Sequence, residues 1–362
     1  MRHLKFLAFA AASAIILTGC SSPLDMTTIE EPKKPITNDI PEMAITGEEM
    51  SQNIWYHELC GGLQQYKTTC VVSERISNRD VKNAIAHLPD DHPEIFWLGN
   101  TYSAVTVTDG SKVEFSLLDG LNEEDIPAMA QELEDEANNI IAQVPEGSDY
   151  DKVLFIHDYL AEHTIYDHSG ANSSKAALCH TSYGCIVKGL AVCEGYAEAF
   201  TLLMNKLGIE SGICTGSNHS WNYVKINEKY YWVDVTWDDL DIIANGYQAE
   251  HCYFLVNSDM ILRSRELDWT QGYFPDCSSI DENYFVKNGS YFTEYDRDTI
   301  ISYIDAQSDK PNCEMMFADY DSYKEALDDL IGKSKIFKAS SINRDTMTYY
   351  RGDNMYYLNI NY

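Results

Sequence analysis

Basic residues are scarce in this chain. Its 362 residues include 26 Lys and Arg against 57 Asp and Glu, a formal net charge of −31. Binding to phosphate backbones needs clustered positive charge, so nucleic acid is not an expected partner. Long apolar runs are missing too. The one sustained run, Phe6 to Leu17, is too short and too early for a membrane-spanning helix. No His/Cys pair has zinc-finger spacing, no Asp/Asn-rich loop has calcium spacing, and no internal repeat is evident. The sequence therefore offers no metal site and no cofactor.

What the N-terminus does have is a secretory layout. Arg2, His3 and Lys5 precede the apolar run, which ends in Leu17-Thr18-Gly19-Cys20. That tetrapeptide resembles the lipobox of bacterial lipoproteins, which implies diacylglycerol on the Cys20 thiol and cleavage before it. The expectation is an extracytoplasmic protein held to the cell membrane by lipid at Cys20. Residues 1–19 would be the signal and 20–44 a tether, with Pro23, Pro32, Pro35 and Pro41 among polar residues that cannot build a core. The dispersed negative charge suits solubility outside the cell.

Setting aside Cys20 and Cys193, eight cysteines remain. An exported chain allows disulfides, and Cys60/Cys70 and Cys179/Cys185 are close enough in sequence to be candidates. The body divides into a mixed module at 45–148, a block at 149–275 that carries every chemical signal, and a small α+β segment at 276–362. The first module has a helix over 48–59, a hairpin at Asp109-Gly110, and a helix over 123–144 with the stripe Ile126, Met129, Leu133, Ala137, Ile140. The last segment has a hairpin around Asn288-Gly289, an amphipathic helix with Tyr323, Leu327 and Leu330, and terminal strands. Arg351-Gly352-Asp353 reads there as part of a turn.

In the middle block, apolar positions Ala197, Phe200, Met204 and Leu207 follow Cys193 at helical spacing, and Gly208 suits the helix end. Cys193 thus falls at a helix start, where free N–H groups and the dipole favour a thiolate and can hold an oxyanion. A buried structural cysteine would give the same local pattern. Further on, His219–Ile226 and Lys229–Trp237 read as strands around a two-residue turn at Asn227-Glu228. In that register Ile226 faces Lys229, Tyr223 faces Trp232, Trp221 faces Asp234 and His219 faces Thr236. His219 and Asp234 then share one face as diagonal neighbours. A three-residue turn would separate them, and a hairpin histidine beside an edge charge is the plain alternative.

Together these segments resemble the bacterial branch of the transglutaminase-like superfamily. The matching runs are Val192-Cys193-Glu194-Gly195-Tyr196-Ala197, Gly216-Ser217-Asn218-His219-Ser220-Trp221-Asn222 and Tyr231-Trp232-Val233-Asp234-Val235-Thr236-Trp237-Asp238, in the family's order. The resemblance implies an α+β, papain-like core: a helix bearing Cys packed on an antiparallel sheet bearing His and Asp. It implies acyl transfer on a peptide or protein substrate through a thioester, with Cys193 as nucleophile, His219 as base and acid, and Asp234 as its orienter. Tyr183 is the side-chain candidate for the oxyanion site. The resemblance leaves hydrolysis and transamidation open. It also allows a catalytically silent surface module that binds a protein or wall ligand.

Overall fold

The computed structural model describes residues 20–21, 50–172, 177–239, 249–268 and 274–362. The expected signal, most of the tether and the Cys20 side chain lie outside the described residues. The described residues form two compact units, one within residues 33–291 and one within residues 1–32 and 292–362. The modules expected at 45–148 and 149–275 lie within the span of the larger unit, and the smaller unit takes in the chain from Phe292 onward. No described helix is long and apolar enough to cross a membrane.

The larger unit begins with α1 (Ile54–Leu63), β1 (Thr69–Val72), α2 (Asn78–Asp91), β2 (Leu98–Val107) and β3 (Gly110–Leu117). The strands form an antiparallel sheet in the order β1-β3-β2. Trp55, Leu59, Val72, Val81 and Val113 make its own small core. Val107 pairs with Gly110, so the turn residues are Thr108 and Asp109, one place earlier than the sequence suggested. Gly110 belongs to the strand, because a Cβ there would lie 1.9 Å from the Val72 carbonyl oxygen.

Next comes α3 (Ile126–Ile141). Its stripe Ile126, Leu133, Ala137 and Ile140 packs in one core with Phe200, Leu203 and Met204. The same core takes in Phe96 and Trp97 of the first module, so this helix packs against both that module and the chemistry-bearing block. Then follow α4 (Asp149–His163), started by a Ser148/Asp151 capping box, α5 (Ser182–Ile186) and α6 (Cys193–Leu207). Gly208 closes α6 at φ 69°, where a side chain would be strained.

The sheet that faces α6 is β5 (Ser211–Gly216), β6 (His219–Ile226) and β7 (Lys229–Val233), antiparallel in that order. Ile226 pairs with Lys229 and Tyr223 with Trp232, the register expected from the sequence. Both hairpins turn on two residues with positive φ: Ser217 and Asn218 at 50° and 64°, Asn227 and Glu228 at 51° and 61°. Such turns match the twist of the strands they join. The expected strand through Trp237 does not form. β7 ends at Val233, and Asp234 caps a helical turn, α7 (Val235–Asp238), by accepting from the Trp237 N–H at 3.2 Å. The carboxylate offers this backbone a local partner that competes with the ladder, so Thr236 does not face His219. The hairpin expected at Asn288-Gly289 is instead the end of a helix, Tyr284–Asn288, with Gly289 at φ 70°.

The smaller unit holds α8 (Arg297–Ala306), β8 (Asn312–Phe317), α9 (Tyr320–Ala326) running on through a π-helical Leu327–Gly332, β9 (Thr348–Gly352) and β10 (Tyr357–Asn361). β10 lies between β9 and β8, all antiparallel. Ile300, Ile304, Met315, Leu327 and Leu358 fill its core. Arg351 is buried, so Arg351-Gly352-Asp353 is not displayed as a loop.

Within the larger unit Asp90 ties α2 to the sheet. Its carboxylate accepts from the Ile213 N–H of β5 at 2.5 Å, and its carbonyl accepts from Asn205 Nδ2 at 3.3 Å. Burial pushes this carboxyl up to about 7, against the opposing pull of the Ile213 N–H. A folded-state value above the ordinary ~3.9 means that the proton favours the fold. That contribution is complete below about pH 4 and is lost as pH rises through about 7. D90N stays neutral, so it should unfold at higher urea than the parent at about pH 8 and at a similar concentration near pH 4. A parent that gains on D90N with rising pH would refute this account.

Candidate active site

Cys193 is the first residue of α6, and the N-cap Val192 brings no capping side chain. The helix therefore opens with N–H groups that no capping side chain covers, and the dipole favours negative charge beside them. No disulfide joins the nine described cysteines, and the candidate pairs Cys60/Cys70 and Cys179/Cys185 are unbridged. Cys193 alone among them is not buried.

Gly195, two places on, is fixed by close approach. A Cβ there would lie 2.6 Å from the Cys179 carbonyl oxygen and 3.0 Å from that of Thr181. Asn222 of β6 bolts the sheet to this helix. Its Nδ2 donates to the carbonyl of Ala197 and to Thr201 Oγ1, both at 3.0 Å, and to the carbonyl of Gly212 at 3.3 Å. Tyr196 donates its hydroxyl to Asp239 at 2.5 Å. These positions of the sequence motifs thus hold the helix and the sheet in place.

His219 opens β6, directly after the Ser217-Asn218 turn. Nε2 meets Asp234 Oδ2 at 2.8 Å, and the Cys193 thiol is among the groups that act on the same imidazole. Its ring stacks on Trp221 at 5.7 Å between centroids and meets the edge of Trp237 at 6.0 Å. Burial works against the imidazolium. The Asp234 charge, the Asp234 hydrogen bond and the thiol outweigh it, so the His219 pKa is raised.

Asp234 is buried. Burial pushes its carboxyl upward, but Arg265 and His219 hold it below the usual range. The expected juxtaposition of His219 and Asp234 is present, although Asp234 reaches it from the cap of α7 rather than from a continuing strand.

Arg265 is the neighbour that the sequence reading missed. Its Nη2 meets Asp234 Oδ2, and the guanidinium lies against the faces of Tyr253, Trp237 and Trp221 at 4.4, 4.8 and 5.5 Å. No periodic pattern surrounds it in the sequence. Only the aromatic residues of the matched motifs hinted at a flat cation among them.

Tyr183 does not fill the role expected of it. Its ring stacks on Phe96 at 4.6 Å in the core, and its hydroxyl donates to Glu132 Oε2 at 2.5 Å. A hydroxyl committed to a carboxylate on α3 is not available to an oxyanion. The remaining donor of the expected kind is backbone N–H at the start of α6.

One cluster among the described residues has metal-ligand spacing: His157, Asp158 and His251, with candidate atoms within 4.8 Å of one another. These atoms already satisfy one another. Asp158 Oδ1 meets His157 Nδ1 at 2.9 Å and His251 Nε2 at 3.2 Å, and His157 Nε2 meets Asp238 at 3.1 Å. A separate cavity of about 390 Å³ is lined by Leu88, Phe96, Tyr102, His180, Glu194 and Glu198. It borders α6 at the residue after Cys193 but includes none of Cys193, His219 and Asp234.

An α+β domain with a helix-borne cysteine, a sheet-borne histidine and a buried aspartate is the class of protein that these elements define. Residues 138–241 match the family model of the transglutaminase-like superfamily, so the chain carries a domain of that superfamily, which includes cysteine peptidases and acyltransferases. Among solved structures, a TGase aligns at 17% identity over 51% of this chain and 53% of its own, with a TM-score of 0.28. A candidate cysteine protease from Cytophaga hutchinsonii aligns at 16% identity over 38% of this chain and 61% of its own, with a TM-score of 0.24. The alignments thus span less than two thirds of either solved chain. No curated protein matches.

The geometry gives Asn222 a weight that can be measured. N222A removes one donor from three buried acceptors, and each acceptor left unpaired carries a desolvation cost. The variant should lose about 2–4 kcal/mol in urea unfolding and alkylate more slowly at Cys193, because α6 is freed from the sheet. Wild-type stability in N222A would show that these hydrogen bonds do not join the two elements.

Proposed function

We propose that this chain is a surface-anchored thiol enzyme acting on amide bonds of peptides or proteins through a Cys193 thioester. What supports the reading above all is one pairing: His219 is held by the buried carboxylate of Asp234, and the Cys193 thiol at the start of α6 acts on the same imidazole. In this reading His219 takes the thiol proton as sulfur attacks the amide carbonyl, and the new oxyanion faces the N–H groups at the start of α6. His219 then gives the proton to the departing nitrogen, and the C–N bond breaks to leave the thioester. Water or an amine resolves it, with His219 taking a proton from either and sulfur leaving. Asp234 keeps one imidazole nitrogen oriented and balances the imidazolium that forms between the two transfers.

C193A removes the only group that forms the thioester, so amide turnover should fall to background while the protein stays folded. H219A should be nearly as severe and D234N milder. The C193A/H219A pair should be little worse than either alone, because the residues act as a unit. Ammonia release and amine incorporation on a glutamine peptide, measured together, separate hydrolysis from transamidation. Full activity in C193A would overturn the proposal and bring forward a silent binding module.

The anchoring half of the proposal rests on Leu17-Thr18-Gly19-Cys20 and the basic, apolar run before it. Lipid at Cys20 would hold the body at the membrane, and the polar, proline-containing tether would set it away from the surface. Cells fed a fatty-acid analogue should label the wild-type chain, and C20S should be unlabelled. Equal labelling of both would remove the anchor at this residue.

A further inference from the structure

Arg265 touches the site from a segment that no matched motif includes. That segment is pinned to the β5–β6 turn. The Glu266 N–H donates to Ser217 Oγ at 3.0 Å, and the Asp268 N–H donates to the Thr215 carbonyl at 2.8 Å. Gly216 leaves the room for it: a Cβ at that position would lie 1.6 Å from the Glu266 carbonyl oxygen. The same short stretch of backbone that begins β6 at His219 therefore also sets the position of Arg265.

We propose that Arg265 is a positioning residue for acyl transfer, its guanidinium sharing with His219 the Asp234 oxygen and thereby preventing Asp234 from holding the imidazole as a fixed imidazolium. The inference rests on the assignment of Cys193, His219 and Asp234 as the reacting groups.

Three observations carry it. The imidazole and the guanidinium meet one atom, since both His219 Nε2 and Arg265 Nη2 reach Asp234 Oδ2. Arg265 is buried, so its charge is little screened by solvent. Its flat faces are occupied by Tyr253, Trp237 and Trp221, and among the described residues Nε and Nη1 find no hydrogen-bond partner, so Asp234 is the carboxylate on which the guanidinium acts. The groups that face His219 are Cys193 from α6, Asp234 from the cap of α7, Arg265 from its own segment, and the neutral rings of Trp221 and Trp237. Asp234 and the thiol raise the proton affinity of the imidazole; Arg265 is the group on this list whose charge lowers it. A base that must take and then release a proton in each turnover needs that opposition, because a lone buried carboxylate would keep the proton in place.

The test is an NMR titration of the His219 imidazole in the full chain, without substrate, beside kcat and KM on a glutamine peptide. R265Q keeps a donor for Asp234 and loses the charge; R265K keeps the charge. R265Q should move the His219 midpoint upward and lower kcat at neutral pH by about tenfold with KM little changed. R265K should restore the midpoint and most of kcat. An unmoved or lowered midpoint in R265Q overturns the inference and leaves Arg265 as a counter-ion for folding.

If R265Q does not fold, D234N and D234N/R265Q decide, since the double variant leaves no unpaired buried charge. The midpoint should be lower in D234N than in the double variant, and equal midpoints overturn the inference. The titration is read without turnover, so full activity in C193A would refute the catalytic assignment separately.

Discussion

The carboxylate of Asp234 has been taken out of water, and a buried charge persists only when it is met from several sides. Three groups meet it here. The Trp237 N–H arrives because β7 stops at Val233 and the chain turns into α7. The imidazole of His219 arrives because two-residue turns fix the register of β5, β6 and β7. The guanidinium of Arg265 arrives because Gly216 lets the 265–268 backbone lie close against the end of β5. Each depends on a different piece of backbone, so the hairpin register, the early end of β7 and the course of a distant segment are all bound up with one side chain. The aromatic residues of the matched motifs take their meaning from the same point. Trp221 and Trp237 flank His219 and also face Arg265, so their rings line both partners of the buried carboxylate.

On the other side of the site the constraint is mechanical. Cys193 reaches His219 only if α6 lies at a set height against the sheet. Asn222 spans that gap with two hydrogen bonds, to the Ala197 carbonyl and to Thr201, Gly195 lets the segment around Cys179 and Thr181 press against the first turn, and Tyr196 anchors to Asp239. Residues that look like motif filler around a nucleophile are therefore the residues that position it. α3 belongs to this assembly as well. Its apolar stripe supports α6 from behind, and its Glu132, on the exposed side, holds the Tyr183 hydroxyl.

Much of this was legible in the sequence because it is local. Helical spacing after Cys193, Gly208 at the helix end and the polar turn at Asn227-Glu228 each act over a few residues, and the observed α6 and the observed β6–β7 register follow from them. The juxtaposition of His219 and Asp234 was legible for the same reason, since a two-residue turn leaves one register. The sequence alone thus determined where the helix starts and how the strands pair, and the family resemblance singled out Cys193, His219 and Asp234. Tertiary structure decided the rest. Asp234 leaves the strand because its carboxylate bonds the Trp237 N–H. Tyr183 turns to Glu132, 51 residues away in sequence. α3 packs with the helix that bears Cys193 as well as with Phe96 and Trp97 before it. Arg265 reaches Asp234 across 31 residues. These outcomes depend on which distant groups share a buried volume, and a buried charge takes its partner from whatever the fold brings within reach. Local periodicity carries no record of that choice.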